Sequence, residues 1–270
     1  IQAAKCYGLH HLGAIAPGYQ ADFVVLDNLS DMNVLEVYHK GKKIIKDEKV
    51  EIRPCDPQLK NTVHLLGFRE SDLRLPWREG KVHILKMMEG QIVTEDVREE
   101  VGYTEEKGRK VFKPDGTYQK IAAVERHKNT GKIGVGIVKG FGLRGGAIAS
   151  SVSHDSHNLI VIGDNDHDMY LAVQELLRTQ GGYTLVENGQ VFDTLPLPIM
   201  GLMSDAGYEK VNEKLARMIS KAHEMGIPEG FDPFITLSFM ALPVIPEIRI
   251  TPRGVYLTQE DRMIQSPFDR

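Results

Sequence analysis

Three histidines and four aspartates fall within nineteen residues, "SVSHDSHNLIVIGDNDHDM", at 151–169. Imidazoles and carboxylates at this density can bind a divalent metal, polarise a substrate or shuttle protons. The same residue types also build turns and cap helices, because Asp, Ser and Asn side chains bond nearby backbone groups. An apolar run separates two polar clusters, "HDSHN" and "GDNDHD". If 147–153 and 159–162 are adjacent antiparallel strands, the first cluster is their connection and the second lies at the opposite end. His167 then cannot join His154 and His157. "DNDHD" reads instead as a helix start, with Asp166 or Asp168 as the cap and acidic residues at the positive end of the helix dipole. Turn chemistry accounts for Asp155, Ser156 and Asn158 but not for His154 and His157. These five residues, His154 to Asn158, form the candidate site. The expectation is a turn that faces an active site, with imidazoles that could reach a metal or a substrate.

A second motif competes for a ligand. "GFGLRG" at 140–145 follows an apolar strand, and Asp164 stands about 20 residues further on, the spacing of a dinucleotide fingerprint. The helix that such a site needs is missing. "GAIASSVSHDSH" is poor in helix formers and alternates more than it repeats every 3.6 residues. The glycines are therefore read as a wide turn. No H-x-H, H-E-x-x-H, G-x-S-x-G, P-loop or H-x-E with P-C-x-x-C occurs. No common catalytic apparatus can be assembled from these residues alone. His10 and His11 sit where a short helix stops and read as solvated.

The chain has 270 residues, 41% hydrophobic and 26% charged, which is enough apolar matter for one large or two ordinary domains. A net charge of −4 gives no electrostatic reason to bind nucleic acid or an anionic membrane. No apolar run approaches the roughly 20 residues of a membrane helix. Cys6 and Cys55 are too few for a disulfide framework and lack metal-ligand spacing, which fits reduced thiols in a cytoplasmic protein. The chain opens on Ile1 within an uncapped helical stretch, so we expect it to begin inside a longer protein.

Short strands are expected at 22–27, 33–39 and 43–46, the last two split by Gly41. "EIRPCDP" reads as a linker, and 65–75 as room for a short helix. From Lys81 onward strands dominate. Asp115-Gly116 and Asn188-Gly189 signal hairpins. Met169, Ala172, Val173, Leu176 and Leu177 form the apolar stripe of a helix that ends at Gly181-Gly182. Tyr208, Val211, Leu215, Met218, Ile219 and Ala222 form a second stripe, capped by Ser204 or Asp205 and closed by Gly226. Strand blocks with inserted helices predict an α+β fold. The expected organisation is a small β-sandwich segment at 1–55, a linker at 56–80 and a mixed α+β domain with antiparallel sheets at 81–270. A duplicated half-domain is only faintly suggested by the two tight turns that precede apolar strands.

Two stretches carry a resemblance. "GLHHLGAIAPGYQADFVVLDNLSDMNVLEVYHKGKKI" resembles the segment that follows the last barrel helix of amidohydrolases, where the chain returns to a β-sandwich built from both ends. "AVERHKNTGKIGVGIVKGFGLRGGAIASSVSHDSHNLIVIGDNDHDMYLAV" and "GGYTLVENGQVFDTLPLPIMGLMSD" resemble the C-terminal domain of bacterial-type adenine deaminases. The resemblance covers essentially the whole chain. It implies a cytoplasmic, homo-oligomeric purine-salvage hydrolase that converts adenine to hypoxanthine and ammonia. It also implies a divalent metal, manganese or iron, that activates water at the mouth of a (β/α)₈ barrel. The barrel's metal ligands have no counterparts in this sequence, so the metal would be held by a barrel lying upstream, and this chain alone is expected to be inactive. The rival reading is a non-catalytic module that binds a nucleotide or a metal.

Overall fold

The computed structural model describes residues 1–44 and 54–269, in two compact units that meet at Pro54/Cys55. The first unit holds helix α1 (Gln2–Cys6) and three strands, β1 (Phe23–Leu26), β2 (Val34–His39) and β3 (Lys42–Ile44). The strands form one antiparallel sheet in the order β1-β2-β3. The expected third strand at 43–46 runs past Ile44 beyond the described residues, as does the start of "EIRPCDP".

The second unit is built on an eight-stranded sheet. Its strands in chain order are β4 (Val82–Met87), β5 (Thr94–Glu99), β8 (Tyr118–Val124), β9 (Ile133–Lys139), β10 (Gly146–Ser150), β11 (Leu159–Gly163), β12 (Gly182–Glu187) and β13 (Gln190–Pro196). A separate two-stranded hairpin pairs β6 (Tyr103–Glu106) with β7 (Arg109–Phe112). The large sheet runs β13-β12-β10-β11-β8-β9-β4-β5, and every neighbouring pair is antiparallel except β4 and β9. Helix α2 (Asp166–Thr179) lies between β11 and β12, and α3 (Tyr208–Glu224) and α4 (Pro233–Phe239) follow β13. A last sheet joins β14 (Ile248–Thr251), β15 (Gly254–Leu257) and β16 (Arg262–Ile264). This is the expected α+β fold.

Both faces of the large sheet are covered, so its central strands read as continuous apolar runs. All five residues of β10 and all five of β11 are buried. On one face Ile121, Ile148 and Ile162 pack with Met218 and Ala222 of α3, Phe234 and Leu237 of α4, and Ile250 and Val255 of the last sheet. On the other face Ala122, Ala149 and Val161 pack with Met169, Ala172, Val173 and Leu176 of α2. The stretch read as a linker, 56–80, supplies Val63, Phe68, Leu73 and Leu75 to this second cluster. Its short helix is a 3₁₀ turn at Glu70–Leu73.

Three local expectations are corrected. Asn165, not Asp166 or Asp168, caps α2, accepting the N–H of Asp168 from extended backbone. Asp166 falls one place inside the helix, where Lys120 engages it. Helix α3 starts at Gly207 without a side-chain cap, because Ser204 already accepts the N–H of Ala206 and Asp205 pairs with Lys60. Asp115-Gly116 is a turn, with Asp115 accepting the N–H groups of Thr117 and Tyr118. It closes no hairpin, since β7 pairs with β6 while β8 pairs with β9 and β11. Asn188-Gly189 does close one, between β12 and β13, with left-handed φ at both residues as a tight primed turn requires.

Candidate functional site

Strands β10 and β11 form the hairpin expected around "HDSHN", in a register running from Ala147 opposite Gly163 to Ser150 opposite Ile160. That register places the two polar clusters at opposite ends of the hairpin. The connection, 151–158, starts buried. The Ser151 hydroxyl donates to the carbonyl of Gly201 at 2.6 Å and accepts the N–H of Gly182 at 2.7 Å, which fastens the strand end to two other loops. Ser153 is buried, and its hydroxyl oxygen has no hydrogen-bond partner among the described residues.

The five candidate residues then divide. Asp155 and Ser156 are exposed, His154 and His157 are half-buried, and Asn158 is buried. The His154 ring stacks on Phe239 at the end of α4, with centroids 4.9 Å apart, and stands 5.9 Å from the His157 ring. His157 has a φ of 49°, so the left-handed residue of this turn is a histidine and not the asparagine beside it. Its N–H donates to the carbonyl of Ser153, and its Nδ1 accepts the N–H of Ser153 at 3.3 Å. Burial lowers the His157 pKa from the ordinary imidazole value, helped by His154, Arg126 and His127 and opposed by Asp155.

The turn is held from behind by two residues that sequence reasoning passed over, the consecutive Arg126 and His127. Arg126 is 1% exposed and pairs with no carboxylate among the described residues. Its guanidinium donates to three backbone carbonyls from three separate segments, those of His157, Thr62 and Met200. Its backbone N–H reaches the Asn158 side chain at 3.3 Å. Burial pulls its pKa down to about 10, so it is still a cation at neutral pH. The His127 ring bonds the carbonyl of Ser156 at 2.7 Å. Residues 156–158 are thus each grasped from 126–127. Nothing local marked this arginine, because its carbonyl partners lie 31, 64 and 74 residues away in the chain.

The other motifs resolve as structure. After "GFGLRG" the chain enters strand β10, not a helix. The carboxylate of Asp164 accepts the N–H groups of Gly145 and Gly146, clasping the turn instead of a ribose. His167 is exposed and bonds Glu70 at 3.0 Å. His10 and His11 are exposed. Among the described residues no group of three or more His, Cys, Asp or Glu side chains is placed to hold a metal ion, so the His154–Asp155–His157 set is not a metal centre by itself.

Comparison with known proteins defines the class first. Residues 1–44 match the amidohydrolase family, and residues 91–262 match the adenine deaminase C-terminal domain. The chain belongs to the adenine deaminase C-terminal domain family. It is 52% identical over 265 residues to an adenine deaminase of Desulfitobacterium hafniense, covering 98% of this chain and 46% of that protein. It is 43% identical to an adenine deaminase of Nitratidesulfovibrio vulgaris, covering 95% of this chain and 45% of the relative. For an adenine deaminase of Bacillus subtilis the identity is 39%, with 95% and 45% covered. The chain therefore spans about half the length of these curated relatives.

Proposed function

We propose that this chain is the C-terminal part of an adenine deaminase, which hydrolyses adenine to hypoxanthine and ammonia. The observation that carries the reading is the 52% identity to a protein of that name over nearly the whole chain. A divalent metal, manganese or iron, belongs to the reading through the amidohydrolase resemblance. The described residues hold no donor set for one. We therefore assign the metal to a barrel domain supplied by the remainder of the protein. The reading includes a cytoplasmic, homo-oligomeric enzyme of purine salvage. No helix among the described residues is long and apolar enough to cross a membrane.

Within this reading the HDSHN turn faces the active-site mouth. What supports it is the mismatch between the turn and its histidines. Asp155 and Ser156 are exposed, whereas His154 and His157 sit side by side on an anchored platform of Phe239, Arg126 and His127.

Hypoxanthine formation from adenine tests the reading, with added Mn²⁺ or Fe²⁺, for the full-length protein beside the 270-residue chain. The full-length protein is expected to turn over and the chain alone to be inactive. Activity of the chain that survives repurification would place the catalytic residues here and overturn the assignment. In the full-length protein, His154→Ala or His157→Ala is expected to lower kcat/KM by about tenfold or more, about 1.4 kcal/mol, with little change in Tm. Unchanged kinetics with lost stability would assign both histidines to packing.

A further inference from the structure

The geometry around His157 determines where its proton sits. The N–H of Ser153 points at Nδ1 from 3.3 Å. A backbone N–H can only donate, so Nδ1 presents its lone pair, and a neutral imidazole with a bare Nδ1 carries its proton on Nε2. Nε2 has no hydrogen-bond partner among the described residues. The direction of that N–H is set by bonds on every side. The residue's own N–H is bound to the Ser153 carbonyl, its carbonyl to Arg126, the carbonyl before it to His127, and the side chain after it to the N–H of Arg126.

We propose that His157 presents a fixed Nε2–H donor at the HDSHN turn, that its acceptor is a ring nitrogen of the heteroaromatic substrate, and that Arg126 and His127 are positioning residues for it. This rests on the reading that the turn serves the active site. Three alternatives fit the geometry less well. A metal needs a lone pair at Nε2, where the proton is. A general base needs the same lone pair. A carboxylate or phosphate ligand is best met by an imidazolium, and the surroundings oppose that form. Burial, the His154 ring, the Arg126 cation and the His127 ring all disfavour a charge on His157, and the exposed Asp155 opposes them. A neutral N–H paired with an uncharged aromatic nitrogen needs no such charge.

Two measurements on the intact full-length protein decide it. Selective ¹⁵N-histidine labelling reads the tautomer directly from the two ring nitrogen shifts, with His157→Gln supplying the assignment. The expected result is an Nε2–H tautomer at pH 7 that stays neutral to lower pH than an exposed histidine. An Nδ1–H tautomer, or an imidazolium at pH 7, overturns the inference whatever the kinetics. The second measurement compares His157→Gln, His157→Asn and His157→Ala for adenine turnover. A glutamine amide places its N–H near the position of Nε2, whereas asparagine falls short, at Nδ1. Glutamine is expected to stay within about threefold of wild-type kcat/KM and alanine and asparagine to fall about tenfold or more, mainly through KM. Equal losses in all three variants overturn the donor role and leave the turn at the active site. Wild-type kinetics in all three overturn both the inference and the reading beneath it.

Discussion

The Nε–H of Arg126 donates to the carbonyl oxygen of His157, tying the second residue past strand β8 to the left-handed residue of the HDSHN turn. Among the described residues the buried cation has carbonyl and hydroxyl partners, so its binding energy is distributed over the 62, 157 and 200 segments. Arg126→Lys keeps the charge and loses the fork. It is expected to destabilise the chain by about 2–3 kcal/mol, because a single ammonium centre cannot span three carbonyls met by three different nitrogens of the fork. Urea denaturation checks this. A loss below about 0.5 kcal/mol would mean that the turn is held by other contacts.

Gly201 lies against the same guanidinium. Its φ is 71°, and a Cβ there would stand 2.8 Å from Nη1 of Arg126. Gly201→Ala therefore meets backbone strain and a collision together, and an expected cost is about 1–2 kcal/mol. Because both substitutions act on one contact, Gly201→Ala combined with Arg126→Lys should cost clearly less than their sum. Strict additivity in the double-mutant cycle would deny the coupling.

At the opposite end of the hairpin, Lys120 is 2% exposed and pairs with Asp166 in the first turn of α2. Burial pushes the lysine pKa down and the aspartate pKa up, and each partner's charge opposes the shift in the other. Lys120→Met leaves a largely buried carboxylate alone and is expected to cost about 3 kcal/mol. Lys120→Met with Asp166→Leu should recover most of that, since removing both charges removes the desolvation penalty. Calorimetric Tm values for the single and double variants test it, and a double variant no better than the single would show that the pair stabilises beyond its own compensation.

Acid should destabilise the chain in two stages. His157 has a folded pKa below its unfolded one, so the unfolded state takes up the proton first. Stability is then intact above about pH 6.5 and declines as pH falls toward the lower folded value. For Glu125, burial raises the pKa. The N–H groups of Thr130, Lys128 and His127 and the Thr130 hydroxyl outweigh that and hold it at about 2. A depressed carboxylate contributes stability above its unfolded pKa of about 4.3, and this is lost as pH falls toward 2. Melting curves against pH should therefore lose the upper stage in His157→Gln and flatten the lower one in Glu125→Gln. Parallel curves for wild type and both variants would remove these groups from the account.

Much of the framework was legible from sequence. Local backbone chemistry is short-ranged, so Asn188-Gly189 announced its hairpin and the 3.6 periodicity of Met169, Ala172, Val173 and Leu176 announced the buried face of α2. The alternation of "GAIAS" denied a helix after "GFGLRG", and strand β10 is what stands there. The hairpin placing His154 and His157 away from His167 followed from chain order and strand length alone.

What the tertiary structure decided was every interaction whose partners lie far apart in sequence. Asp115-Gly116 carried a genuine turn signal, but the sheet each flanking strand joined depended on distant partners, and β7 and β8 parted. Asp166 looked like a cap until Lys120, 46 residues earlier, claimed it, and the cap passed to Asn165. Arg126 gave no sign in one dimension that its fork would gather carbonyls from positions 62, 157 and 200. The types of His154 and His157 were readable at once. The tautomer of His157 was not, because a proton's place on an imidazole is set by the donor that faces the other nitrogen. Here that donor, the N–H of Ser153, is brought round only when the turn closes.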